Sequence, residues 1–145
     1  MSFENNVLAV RRLLEVGFSK GDFAVIDEIV DPECVEHQNG AQGTGPEGVR
    51  RIAAGLRASF PDLDLHVEDV AAVGDKVWAR VRARGTDTGG VAGGPPSGKA
   101  IEIDVIDVVR FRDGKIVEHW GVADRLGMLQ QVGVVPQPPQ ERRVA

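Results

Sequence analysis

The chain has one cysteine, Cys34, in 145 residues, so no internal disulfide can form and a reducing compartment fits. It lacks a run of apolar residues long enough to cross a membrane, and its first six residues carry no basic segment followed by an apolar one. A soluble, cytoplasmic protein is the expectation. There is no excess of positive charge either. The formal net charge is −5 and the pI near 5.2, which disfavours nucleic acid and anionic membranes as partners. The three histidines, His37, His66 and His119, are not spaced as a helical metal pair, and no cysteine cluster accompanies them. Ser59 and Ser97 have no base nearby in sequence, which leaves nucleophilic serine chemistry without support. No internal repeat is present.

What is present changes period halfway along. Phe3, Val7, Val10, Leu14 and Phe18 recur at spacings of three and four, which predicts a first amphipathic helix. Gly21 can end it, and Asp22 can cap a second helix carrying Phe23, Ile26, Ile29 and Val30, stopped by Pro32. Cys34–Gln38 reads as a short strand with Val35 and His37 on one side. Pro46 opens a third helix that buries Val49, Ile52, Leu56 and Phe60. From Leu63 the period becomes two. Leu63, Leu65 and Val67 alternate with polar residues, Gly74-Asp75 turns the chain, and Val77, Ala79, Val81 and Ala83 follow. After a Gly/Pro loop at Gly89–Gly98 come two more strands and a short helix near Arg125–Gln131, for which Asp124 is the natural N-cap. Helices first and an antiparallel meander second predict an α+β domain over residues 1–133, a curved sheet wrapped around helices. Residues 134–145, with Pro136, Pro138 and Pro139, are expected to be a disordered tail.

The most informative segment is Ile101–Phe111. Its alternate residues are Ile101, Ile103, Val105, Asp107, Val109 and Phe111, so one carboxylic acid interrupts an apolar strand face. Burying an unpaired carboxylate is costly, so Asp107 must find a partner, stay protonated or line a cavity. Phe111–Ile116 reads as a hairpin turn, with two registers open. A two-residue turn on Asp113-Gly114 would set Asp107 beside Trp120 and put Glu118 on the apolar face. A three-residue turn would set Phe111 beside Lys115, Val109 beside Val117, Asp107 beside His119 and Val105 beside Gly121. Keeping charge off the buried face selects the second. Opposed residues have Cβ atoms about 4.5–5.5 Å apart, within reach of an Asp–His hydrogen bond. A buried Asp107 bonded only to backbone, or to a second subunit, is the structural alternative.

Asp107 and His119 are thus the candidate catalytic pair. Val105, Val109, Val117 and Gly121 share their face and are the candidate substrate contacts, with His37 added if it looks inward. His66 alternates with Leu65 and Val67 and should face solvent. Gly93-x-x-x-x-Gly98-Lys99 imitates a phosphate loop, but Ala100 replaces the Ser or Thr, two prolines remove donors and a strand follows. Arg80, Arg82 and Arg84 form a basic row, read as solvated or lining an interface. The opposite hairpin face carries Ile106, Val108, Ile116, Trp120 and Val122, and an apolar second face predicts a homodimer.

Several segments carry a resemblance. They are Gly85-Thr86-Asp87-Thr88-Gly89, Pro95-Pro96-Ser97-Gly98-Lys99, the run Asp113–Trp120, Asp124, and Leu129-Gln130-Gln131-Val132-Gly133. Over residues 3–133 the chain resembles the SnoaL-like polyketide cyclase family, within the NTF2-like and ketosteroid-isomerase-like group. The resemblance implies a cone-shaped barrel with a hydrophobic pocket, usually dimeric, using neither metal nor organic cofactor. Characterised members close a ring by an intramolecular aldol reaction of an aromatic polyketide ester, with an aspartate as general acid/base and histidines stabilising the enolate. That aspartate falls at Gly121 here, a pocket histidine falls at Asp107, His119 is retained, and Asp87 stands at the centre of the family's Gly-Thr-His-Thr-Gly. The resemblance implies a carboxylate moved across the hairpin from 121 to 107. On this reading Asp107 is the general base for aldol closure or isomerisation next to a carbonyl of a hydrophobic substrate, and His119 orients it or donates a proton to the enolate oxygen. A hydrolase of the limonene-epoxide-hydrolase type and a non-catalytic small-molecule binder are the alternatives.

Overall fold

The structure is a computed structural model that describes residues 2–38 and 45–139. Residues 140–145, the end of the expected tail, lie outside the described residues. Helix α1 spans Phe3–Arg12, capped by the Ser2 hydroxyl on the Asn5 amide, and continues as one wide π-type segment, Leu13–Phe18. Helix α2 spans Phe23–Ile29. Asp22 holds its N-cap position, but its side chain makes no capping hydrogen bond. Strand β1 is Val30–Glu36, helix α3 Gly45–Ser59, β2 Asp64–Val73, β3 Lys76–Thr86, β4 Ala100–Arg112, β5 Lys115–Ala123 and α4 Arg125–Gln131.

The sheet order is β1-β5-β4-β3-β2. Strands β2 to β5 form the antiparallel meander, and β1 joins β5 in parallel, which makes the sheet mixed. Pro32, read as a helix stop, lies inside β1. That strand is an edge, where a missing amide donor is tolerated. Helix α2 therefore ends one residue earlier than the sequence suggests, with Val30 already extended.

Alternation decides the two faces of the sheet. Val77, Ala79, Val81 and Ala83 of β3 and Ile101, Ile103, Val109 and Phe111 of β4 are buried on the inner side against the helices. Ile26 and Ile116 are among the most completely enclosed side chains, each contributing about 1.5–3 kcal/mol by burial. Charged Arg80, Arg82 and Arg84 lie on the outer side and pair with Asp69, Glu102 and Asp104. The Gly/Pro loop is organised by buried Asp87, whose carboxylate accepts the Gly90 and Ser97 amides at 2.9 and 3.0 Å. Burial opposes its charge, but the bonds from Ser97 and Gly90 outweigh that and hold its pKa below the usual range. No helix opens at Gly98; β4 starts at Ala100.

The β4–β5 hairpin has neither of the two registers weighed above. Arg112 faces Lys115 across Asp113-Gly114, both at positive φ (50° and 78°), a two-residue turn. Phe111 then faces Ile116, and one extra residue follows before Arg110 meets Glu118. That bulge at Val117 restores the phase. The two-residue turn itself puts Ile116 on the inner face beside Phe111, where it is buried, rather than on the outer face assigned to it from the sequence, and the bulge then turns His119 inward. It also keeps Glu118 away from the apolar side. Asp107 is consequently opposite Gly121, and His119 opposite Val109.

Candidate active site

A cavity of about 490 Å³ lies between the helices and the inner face of the sheet. Leu14, Val49, Ile52, Phe60, Ile103 and Met128 are part of its apolar wall. Glu36, Gln38, Asp107, His119 and Arg125 are its charged and amide-bearing lining residues.

Asp107 sits on β4 between two small neighbours, Ala79 on β3 and Gly121 on β5, which leave room for its carboxylate. His119 lies one step diagonally across the ladder and on the same face. Its Nε2 donates to Asp107 Oδ1 at 2.7 Å. The Asp–His contact expected from the sequence is therefore made, but diagonally rather than between directly opposed residues. Diagonal neighbours in a sheet remain within reach of longer side chains.

The sequence reading missed the third member. Glu36 pairs with His119 across the parallel β1–β5 ladder, and both its oxygens lie 2.7 Å from His119 Nδ1. The side chains of Glu36, Asp107 and His119 are 10%, 14% and 19% exposed, so the row is largely shielded from water. A neutral imidazole carries one N–H, yet both ring nitrogens here face carboxylate oxygens. Two donors are needed, which the imidazolium supplies. Burial opposes that charge, but the hydrogen bonds and negative charges of Asp107 and Glu36 outweigh it and push the His119 pKa up to about 9. His119 therefore has no nitrogen free as a metal ligand or as a proton donor to a third group. Among the described residues no three His, Cys, Asp or Glu side chains are arranged to hold a metal ion.

Of the candidate contacts, Val105, Val109 and Gly121 line the cavity. Val117 does not: as the bulged residue it is buried away from the lining. His37 is on the outer face, where it stacks on Trp120 at 4.9 Å and bonds Glu118 at 2.9 Å. The condition that His37 looks inward is therefore not met. Val35 is exposed, while Val30 and Cys34 are buried and Glu36 lines the cavity. The phase of Val30, Cys34 and Glu36 was the available signal, hidden because Val30 read as helical. His66 is exposed, near Glu15. Asp124 caps α4 by accepting the Gly127 amide at 2.9 Å.

Residues 8–132 match the model of the SnoaL-like polyketide cyclase family. The chain belongs to that family. Aklanonic acid methyl ester cyclase DauD of Streptomyces sp. (strain C5) is 28% identical, over 92% of this chain and 90% of its own length. The structure of TsrD from Streptomyces laurentii superposes with a TM-score of 0.86 at 28% identity, covering 93% of this chain and 99% of that one. That of wild-type IdmH from Streptomyces antibioticus does so at 0.78 with 35% identity, covering 88% and 98%. The α+β fold with a mixed, curved sheet is thus the NTF2-like fold of this family.

Proposed function

We propose that this chain is a small-molecule enzyme working by general acid/base chemistry, an aldol closure or isomerisation next to a carbonyl, on a hydrophobic substrate held in the cavity. One observation carries the reading: a carboxylate, Asp107, fixed at the wall of an apolar cavity by a cationic imidazole that a second carboxylate, Glu36, holds from behind. Membership of a family with ester cyclases among its relatives supports it.

In the aldol form Asp107 takes a proton from the carbon next to the carbonyl. The C–H electrons move into the carbon–carbon bond, and the carbonyl oxygen gains the negative charge. The enolate carbon attacks a second carbonyl of the same molecule, forming the ring bond, and the new alkoxide takes the proton back from Asp107. With both N–H groups engaged, His119 positions Asp107 and supplies positive charge beside it. Proton transfer to the enolate oxygen by His119 is the less favoured of its two expected roles. The reading calls on no metal or organic cofactor.

A test is turnover of aklanonic acid methyl ester, the substrate named for the DauD relative. General acid–base catalysis is worth typically ~10²–10⁴-fold, so Asp107→Asn should lose about that much. A variant with full turnover would remove Asp107 from the mechanism. Gly121, with no side chain where the family resemblance sets an acid, favours a second reading, a non-catalytic binder of the same compounds. Under it the ester binds and is released unchanged. We further propose a cytoplasmic homodimer joined through the outer sheet face carrying Ile106, Val108 and Trp120, near exposed Trp78 and Val122. A monomeric mass by light scattering would contradict the dimer.

A further inference from the structure

Proton abstraction next to a carbonyl leaves negative charge on an oxygen, and that oxygen needs a hydrogen-bond donor. The cavity offers few. Glu36 and Asp107 as carboxylates only accept, and both N–H groups of His119 are committed to them. Cys34, whose thiol pKa burial pushes up to about 11, is at best a weak donor. Gln38 and Arg125 remain among the described lining residues.

Gln38 lies two residues beyond the end of β1. Its backbone amide donates to Glu36 Oε1 at 2.8 Å, which ties the residue to the Glu36–His119–Asp107 row. Its carboxamide makes no hydrogen bond among the described residues, although it is half-buried and lines the cavity. A Cβ built on Gly121 would lie 2.5 Å from Gln38 Oε1, 2.9 Å from Asp107 Oδ1 and 2.9 Å from His119 Cε1. The carboxamide, the carboxylate and the imidazole thus converge above the one residue of β5 that has no side chain. No larger residue fits there without pushing at least one of them away. The terminal torsion of a glutamine is soft, so the amide can turn its N–H toward a ligand in the same place.

From this convergence we propose that the Gln38 carboxamide is a catalytic residue, donating an N–H to the substrate oxygen that becomes negative as Asp107 takes the proton, and that Gly121 exists to admit it. The proposal names the ligand chemistry as well: a carbonyl or enol oxygen on a flat apolar body, placed over Gly121. It rests on the base role of Asp107 for its kinetic consequence but not for its binding consequence.

Two measurements separate these. The first is turnover of aklanonic acid methyl ester. Removing one donor of this kind typically costs ~10²–10³-fold in kcat, so Gln38→Ala should lose about that with little change in KM. The second is binding of 2-naphthol, an aromatic enol whose fluorescence reports its own ionisation. Gln38→Ala should bind it at least ~10-fold more weakly than the wild type, a loss well within what one unmade hydrogen bond to a charged group produces. Gly121→Ala should weaken it too, by displacing the amide. If the wild type turns over no ester but Gln38→Ala still weakens naphthol, the base reading fails and the donor stands. If Asp107→Asn abolishes turnover while Gln38→Ala keeps wild-type kcat and naphthol affinity, the base stands and this proposal is overturned. Circular dichroism of Gln38→Ala checks that the fold is intact.

Discussion

Two histidines, His119 inside the sheet and His37 outside it, meet acids in opposite ways. His119 lies between two shielded carboxylates, and among the described residues no lysine or arginine pairs with either Glu36 or Asp107. His37 is 38% exposed, and the acid it meets, Glu118, is also bonded by Arg110 at 2.7 Å. The outer acid is pulled below its usual pKa by the hydrogen bond from His37 and then that from Arg110. Inside, the imidazole is the only cation among the described residues paired with either acid, and its pKa is raised. Similar residue types on two faces of one sheet give a shielded, charged row on one side and a screened surface network on the other. Burial and the absence of a competing cation make the difference.

That contrast can be broken by substitution on one face at a time. The largest effect is expected inside: Asp107→Asn should reduce ester turnover ~10²–10⁴-fold, whereas Asp104→Asn, on the outer face of the same strand, should leave it unchanged. Equal losses would mean that stability, not chemistry, is being read. Next in size is the apolar lining. Ile116→Ala should cost about 2–5 kcal/mol in denaturant unfolding, and exposed Val122→Ala no more than about 0.5 kcal/mol. A comparable loss at Val122 would show that the outer face is covered, as in the proposed dimer.

Smaller still is a pH effect with a definite sign. His119 holds its proton more tightly folded, at about 9, than at the ordinary value of 6.5. Its contribution to stability is complete below about pH 6.5 and fades as pH rises toward 9. Thermal unfolding should therefore show a falling Tm across that window, and His119→Gln should flatten it. The smallest effect belongs to the outer bridges. Arg80→Ala, which removes the partner of Asp69, should shift Tm slightly, and not at all in strong salt.

How much of this was legible depended on where local pattern and long-range pairing agreed. The alternation in β4 set Asp107 on the inner face, where it lines the cavity, because one strand suffices to define a face. Asp113-Gly114 marked the turn for the same local reason. The bulge at Val117 has no composition signal, so the register came out wrong while the face came out right. Both proposed registers assumed an unbroken count, and the extra residue is what lets a two-residue turn coexist with an outward Glu118. Glu36 was illegible for a different reason. Its role comes from a parallel pairing of residues 83 positions apart, and with Val30 read as helical the phase of Val30, Cys34 and Glu36 did not show. The sequence left the orientation of His37 open and gave Glu36 no role. Gln38, two residues beyond the same strand, went unread with it.

The central claim is that the cavity holds a protonated imidazole clasped by Glu36 and Asp107. A pH titration of the His119 ring by NMR tests it most directly. The account predicts a midpoint near 9, falling in Glu36→Gln as one clasp is removed. A wild-type midpoint at or below the ordinary histidine value of 6.5 would contradict it.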